Sequence, residues 1–332
     1  MALYRTILKR AWENTWRHKY LWFFGLFAAL LGNGGELELI FRGFDGPSKN
    51  NLYVGMQRIL ETGFFSKGTL SNMGHMAGED PFSLFLALMT LFIILVLSLF
   101  LLWLSITSQV AIVHNTAKTK HNKEHDFKNG ILTGMKNFWP VLSLNIISRV
   151  IIAIMFCIIA LPLLSEVFKN SGLASGWYII MFIIFIPLSL AFSFLIKYSI
   201  AFVVIKGQKT IQAVKSGWNL FKNNWIISIE MAIILFSINF LVGLAVILLL
   251  LILTVPFLFI ILMFSQMAFY FNFWFIIVSA IILFLIIIVF IGAMLATFQI
   301  SSWTYLFMEL IGKGGISKIT RIFDKKIKES KA

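Results

Sequence analysis

The sequence has few charged residues for its length. Only 13% of its 332 residues are Asp, Glu, Lys or Arg, whereas 59% are hydrophobic and 35 are Phe. Between Glu230 and Glu309 there are 78 consecutive residues without a charged side chain. A soluble domain does not bury that much uninterrupted apolar sequence, whereas each bilayer crossing requires about 20 apolar residues. The sequence therefore predicts an integral membrane protein.

Cysteine is almost absent, and so are the motifs of common enzymes. A single cysteine, Cys157, excludes a disulfide framework and a site built from several thiolates within the chain. The sequence contains no Walker A motif, no G-x-S-x-G and no H-E-x-x-H. His121 and His125 are one helical turn apart beside Glu124, but their polar surroundings are typical of a solvated loop. We therefore expect no cofactor, no metal ion and no enzymatic activity.

Acidic residues are half as frequent as basic ones, which gives a net charge of +14. In a membrane protein, Lys and Arg collect in the cytoplasmic loops. The sequence predicts six apolar spans, at about 20–32, 82–113, 138–164, 177–205, 225–264 and 272–311. With both termini cytoplasmic, the inner side holds 21 Lys and Arg and the outer side holds 5. This bias predicts six crossings with cytoplasmic termini, and it accounts for the positive charge without a nucleic-acid partner.

The first span is short. Tyr20 to Leu31 covers about 18 Å of helix, a length that also fits the apolar core of a cleaved signal peptide. If this segment did not cross, however, the best charge distribution would fall to 16 inside and 10 outside. Arg17 and Lys19 can lengthen the span by extending their charged ends to the interface. We therefore predict that it crosses.

Similar segments precede the first, third and fifth spans. Each has apolar residues three or four positions apart, with Lys, Arg or Asn between them. In the third copy, Ile211, Val214 and Trp218 share one helical face, while Lys215 and Lys222 point toward water. Such helices lie flat at the level of the lipid headgroups. The residues that we expect at the membrane surface are Trp12, Trp16, Trp139, Trp218, Trp225, Lys215 and Lys222.

These patterns predict an all-α fold, a polytopic membrane helical bundle of six transmembrane helices in three hairpins. An amphipathic interfacial helix precedes each hairpin. The even-numbered spans also end in similar sequences, at 106–111, 196–201 and 298–303. Residues 1–312 form the transmembrane domain, in which the glycine-rich segment 33–81 is an external cap, and 313–332 form a basic amphipathic cytoplasmic tail.

A few charged residues are predicted to lie inside the membrane, where charge is costly and often functional. Arg149, Lys197 and Glu230 are the deepest, whereas Glu309 falls near the last boundary. Asn145 and Ser193 each lie one helical turn before a deep cation. One interpretation is an ion-pair network that fixes helix packing. A second follows from the excess of cations over acids, which leaves room for an anionic lipid or substrate, and a third is a proton relay through Glu230.

The segments 196–205, 209–218 and 223–225, together with the closing segment 303–310, resemble a poorly characterised family of bacterial six-span membrane proteins. That family includes the membrane domain attached to some glycerophosphoryl diester phosphodiesterases. The resemblance covers most of the chain and implies a place in the bacterial cytoplasmic membrane and a link to lipid metabolism. It implies no catalytic residues, because the soluble phosphodiesterase domain has no counterpart here.

Two functions remain open at this stage. The first is a membrane-embedded binding or translocation module, in which the polar seam of Arg149, Lys197 and Glu230 meets an anionic lipid or small amphiphile. The second is a structural or accessory subunit, whose basic interfacial helices recruit a protein partner at the cytoplasmic face. The oligomeric state is not predicted by the sequence.

Overall fold

The computed structural model describes residues 2–31, 78, 80–120, 126–164, 173–265 and 270–313. Regular structure in these ranges is entirely α-helical. The helices are α1 (Ala2–Arg17), α2 (Tyr20–Ala29), α3 (Pro81–Lys120), α4 (Phe127–Lys136), α5 (Phe138–Leu164), α6 (Leu173–Lys206), α7 (Thr210–Asn223), α8 (Trp225–Ser265) and α9 (Tyr270–Lys313).

Within the described ranges, four helices contain segments long and apolar enough to cross a membrane. These segments are Pro81–Lys120, Phe138–Met155, Trp225–Ile260 and Phe275–Gly312, and Tyr20–Ala29 is a shorter apolar helix. The described part of the chain is therefore all-helical, and the protein is a multi-pass membrane protein. Six crossings arranged as three hairpins remain a prediction.

The helix bounds agree closely with the apolar pattern at most positions. The predicted third span, 138–164, coincides with α5, and α8 runs without a break through Pro256. The main difference is α3, which continues to Lys120 instead of ending at 113. No glycine or proline stops the helix there, and Asn115 and Thr116 are buried against the rest of the protein.

Several predicted features lie outside the described residues. These are most of the external segment 33–81, the histidine pair at 121 and 125, and the amphipathic tail from 314 onward. Within the described residues, no group of three or more His, Cys, Asp or Glu side chains is placed to hold a metal ion.

The chain divides into two compact units. The first comprises Met1–Gly34, Ser105–Leu144 and Phe194–Ala332, and the second comprises Gly35–Leu104 and Asn145–Ser193. In the first unit, an apolar core is formed by buried residues of α2, α3, α5, α6 and α9, among them Phe24, Val110, Leu144, Ile200 and Ile300.

The three similar sequences at the ends of the even spans form a shared buried layer. Ile106 to Ala111, Tyr198 to Ala201 and Phe298 to Trp303 are buried, although many of them are polar. Polar side chains packed between helices can hydrogen-bond across the contact instead of facing lipid. Tyr198 and Ser228, for example, share a hydroxyl hydrogen bond of 2.6 Å between α6 and α8.

Three amphipathic helices, α1, α4 and α7, each pack onto one copy of this layer. Gly134 of α4 lies against Thr107 of α3, and Gly217 of α7 lies against Ser199 of α6. The N-terminal helix α1 packs in the same way, but onto α9, where Asn14 hydrogen-bonds to Ser301. Helices α1 and α9, at the two ends of the described residues, therefore contact each other.

Candidate functional site

Lys197, one of the three predicted intramembrane ions, lies among aromatic rings. Its Nζ is 4.5 Å from the ring centre of Trp303 and 5.9 Å from that of Phe194. A lysine ammonium over the face of a tryptophan is stabilised by the ring quadrupole. The cavity beside Lys197 is small, with a volume of about 30 Å³.

Glu230 contacts the N-terminal helix, α1. Its Oε2 accepts a hydrogen bond from the Tyr4 hydroxyl of α1, and Ser228 on the same helix bonds to Tyr198. The pairing of Glu230 with a deep cation, which the sequence suggested, stays a prediction. This hydrogen bond joins α1 to α8, so Glu230 helps to hold α1 in place.

Arg149 and Asn145 belong to the second compact unit, whereas Lys197 and Glu230 belong to the first. Arg149 is exposed at the protein surface, Asn145 is half-buried, and Ser193 is half-buried on α6. The proposed role of these three residues in ligand binding stays a prediction.

The residues expected at the membrane surface are exposed. This holds for Trp12, Trp16, Trp139, Trp218 and Trp225, and for Lys215 and Lys222. Trp12 and Trp16 also contact each other, with ring centres 5.5 Å apart. Tryptophan is enriched where protein meets the headgroup region, so this exposure is consistent with an interfacial position.

A larger cavity lies where α1 meets the C-terminal ends of α3, α6 and α9. We call it the basic pocket. Its volume is about 750 Å³, within the range of small-molecule binding sites. Its charged lining residues are four cations, Arg10, Arg17, Lys120 and Lys206, and two acids, Glu13 and Glu309, and His18 also lines it.

One face of α1 forms a wall of this pocket. Arg10, Glu13, Asn14 and Arg17 are spaced by three and four residues and therefore share a helical face. Trp12 and the neighbouring Trp16 lie on the opposite side of the helix and are exposed. The same helix thus presents charge to the pocket and indole rings away from it.

Two cations of the pocket, Arg10 and Lys120, lie against Glu309. Its Oε1 lies 3.2 Å from Nη1 of Arg10 and 3.7 Å from Nζ of Lys120. The side chains of Lys120 and Glu309 are each only 21% exposed, so this group is better shielded from water than an ordinary surface ion pair. Glu13, by contrast, pairs at 3.9 Å with the exposed Lys9 on its own helix.

A buried polar cluster connects α1 to α3 and α9 beside the basic pocket. The amide Nδ2 of Asn14 lies 3.3 Å from both Thr116 Oγ1 and Ser301 Oγ, and the two hydroxyls are 3.1 Å apart. All three residues are almost fully buried. His18 Nδ1 is 3.1 Å from Asn14 Oδ1 and 3.2 Å from the Asn14 carbonyl oxygen. Both of these oxygens are acceptors, so Nδ1 carries the proton and donates.

The sequence did not single out Arg10, Arg17, Lys120 or Lys206, and it set Glu309 aside as a boundary residue. A signal was nevertheless present. The positive-inside count placed the start of the chain and the ends of the even spans on one side of the membrane. That count could not show that α1 packs against α9, which is the contact that brings these charges together.

Comparison with known proteins found no match to this chain among family models, curated proteins or solved structures.

Proposed function

We propose that this protein binds an anionic amphiphile at the membrane surface, with the headgroup of the ligand in the basic pocket. The proposal depends on the make-up of the pocket wall. The pocket has more cations than acids, and the α1 helix that lines it has charged residues on one face and tryptophans on the other. Arg and Lys side chains are the usual partners of carboxylate and phosphate groups.

The position of α1 supports a lipid-like ligand. Trp12 and Trp16 are exposed on the side of α1 opposite Arg10 and Arg17. Because tryptophan favours the headgroup region, α1 lies at that depth, and the basic pocket then lies beside it. A ligand with an anionic headgroup and an apolar tail can occupy the pocket and the lipid together.

Relative volume favours this pocket over the intramembrane seam as the headgroup site. The space beside Lys197 is about 30 Å³, whereas the basic pocket is about 750 Å³. In this proposal Lys197 contributes to packing through Trp303. The protein is non-enzymatic, spans the bacterial cytoplasmic membrane six times and has both termini in the cytoplasm.

The lysines of the pocket also have a structural role. Lys206 ends α6 and Lys120 ends α3, where a cation offsets the partial negative charge of the helix C-terminus by about 0.3–1 kcal/mol. A loss of ligand binding on substitution is therefore meaningful only if stability is measured in the same variant.

The test compares two double variants with the same change in net charge. Arg17→Gln with Lys206→Gln removes two cations of the basic pocket, and Lys215→Gln with Lys222→Gln removes two exposed cations of α7. Native mass spectrometry of the purified proteins with phosphatidylglycerol and phosphatidylcholine measures lipid retention. We expect the pocket variant to lose phosphatidylglycerol about tenfold, the equivalent of 1.4 kcal/mol, and the α7 variant to retain it.

Equal retention of phosphatidylglycerol by the two double variants, at equal stability, would contradict the proposal. In that case the basic interfacial helices would be better explained by recruitment of a protein partner. That alternative predicts that removal of residues 313–332 releases a co-purifying protein without changing lipid retention.

A further inference from the structure

The arrangement around Glu309 assigns a more specific ligand chemistry to the basic pocket. We propose that the Glu309 carboxylate occupies the anion subsite of Arg10 and Lys120, and that a phosphate monoester displaces it. This inference rests on the function proposed above and adds the charge class of the ligand and the residue that competes with it.

The geometry of Glu309 is that of an internal ligand. One of its carboxylate oxygens lies within 4 Å of a guanidinium nitrogen of α1 and of the ammonium group of α3. Two cations from different helices are therefore already held together around a single acceptor atom. An entering anion meets these cations in position, but it must replace the carboxylate that holds them.

The requirement for displacement selects among anions. A monoanion that replaces a monoanionic carboxylate gains little, because one negative charge is exchanged for another at the same cations. A phosphate monoester carries a charge of about −1.5 to −2 and three terminal oxygens, and arginine binds phosphate through two parallel hydrogen bonds. A phosphate diester, as in phosphatidylglycerol, has one negative charge and two terminal oxygens.

The remaining cations of the pocket can accommodate the displaced carboxylate or the additional charge of the ligand. Arg17 and Lys206 line the same cavity on α1 and α6. Met308 and Ile311, which flank Glu309 on α9, also line the cavity and give it an apolar portion. These features fit a phosphate attached to an apolar body, such as phosphatidic acid.

Glu13 provides a matched control for Glu309. Both are carboxylates that line the basic pocket, but Glu13 pairs with Lys9, whereas Glu309 pairs with Arg10 and Lys120. Glu13→Gln therefore changes the net charge of the pocket by the same amount as Glu309→Gln without freeing the two cations of the subsite. A difference between these variants separates competition at the subsite from general electrostatics.

The experiment measures the affinity of phosphatidic acid and phosphatidylglycerol for the purified protein by native mass spectrometry. For the wild-type protein we expect about tenfold preference for phosphatidic acid. We expect Glu309→Gln to bind phosphatidylglycerol about three- to tenfold more tightly than the wild type, because a monoanion no longer competes with the carboxylate. Glu13→Gln removes the same charge from the pocket without freeing Arg10 and Lys120, so it should raise this affinity by a smaller factor than Glu309→Gln does.

Equal affinity of the wild type for the two lipids would overturn the inference, and this arm does not depend on folding of a variant. Equal effects of Glu13→Gln and Glu309→Gln would overturn it as well. In both cases the proposed function stands if the double variant Arg17→Gln with Lys206→Gln still retains less phosphatidylglycerol than the wild type. A final arm with soluble glycerol phosphate identifies the source of the phosphate. Binding as tight as that of phosphatidic acid indicates a soluble phosphate monoester, and much weaker binding indicates a lipid.

Discussion

Replacement of Gly25 by alanine tests the packing that closes the first unit. Gly25 lies in the middle of α2 and is buried against α9. A Cβ atom placed on Gly25 would clash with the carbonyl oxygen of Ala293 and with Thr297 Oγ1. The first of these contacts is with backbone, so a side-chain rotation cannot relieve it, and α2 must move away from α9.

Two effects determine the size of the destabilisation. Overpacking of a well-packed contact costs about 1–3 kcal/mol. The same movement weakens the hydrogen bond that Thr297 Oγ1 donates to the carbonyl oxygen of Leu21, 3.1 Å away, and bonds of this kind between membrane helices contribute about 0.6 kcal/mol. We therefore expect Gly25→Ala to lower the free energy of unfolding by about 2–3 kcal/mol.

Gly243→Ala is the matched control, because it makes the same substitution inside α8, where no atom lies within 4 Å of the added Cβ. Both variants gain the same intrinsic helix propensity. Unfolding by sodium dodecyl sulfate in mixed micelles, followed by tryptophan fluorescence, gives the two free energies. Trp22 of α2 reports directly on this contact, since its ring centre is 5.1 Å from that of Phe290 on α9. Equal unfolding midpoints for Gly25→Ala and Gly243→Ala would refute the close approach of α2 to α9.

Two further predictions concern the N-terminal helix. A double-mutant cycle with Tyr4→Phe and Glu230→Gln should give a coupling free energy of about 0.5–1.5 kcal/mol, because the tyrosine hydroxyl donates to the carboxylate; additive effects of the two substitutions on unfolding would rule that hydrogen bond out. Asn14→Ala removes the amide that bonds to Thr116 and Ser301, so α1 should detach more often and become cleaved faster by trypsin at Arg10 or Arg17. The control Thr6→Ala changes an exposed residue of the same helix and should leave the cleavage rate closer to that of the wild type. An unchanged rate in Asn14→Ala would contradict a role of this cluster in holding α1.

Local sequence signals were sufficient for most of the helix positions. The apolar runs predicted the first and last residues of α5 and α8 to within one position. The aromatic residues Phe138 and Trp225 begin these two helices, as the pattern predicted. Such signals are strong because the hydrophobic period and the helix breaks depend on neighbouring residues alone. The extension of α3 to Lys120 was missed because its polar last two turns are stabilised by tertiary burial, which the composition of the segment does not show.

The candidate site was less predictable, for a physical reason. Arg149, Lys197 and Glu230 were predicted as site residues because an isolated charge inside the lipid bilayer is unfavourable. The basic pocket depends instead on contacts between residues far apart in the chain, such as Arg10 with Glu309. Each of these residues looks like an ordinary interfacial charge in the sequence. Their convergence follows from the docking of α1 onto α9, and no periodicity in a single segment encodes that contact.

The contact between α1 and α9 also constrains how the protein is made. Asn14 and its partner Ser301 are separated by 287 positions, which a ribosome takes about 15–60 s to translate at 5–20 residues per second. During that interval α1 lacks its contacts with α9 and can rest on the bilayer through its tryptophans. A truncated product without α9 would lack these contacts, so a complete polar cluster around Asn14 marks a chain that has been synthesised past Ser301.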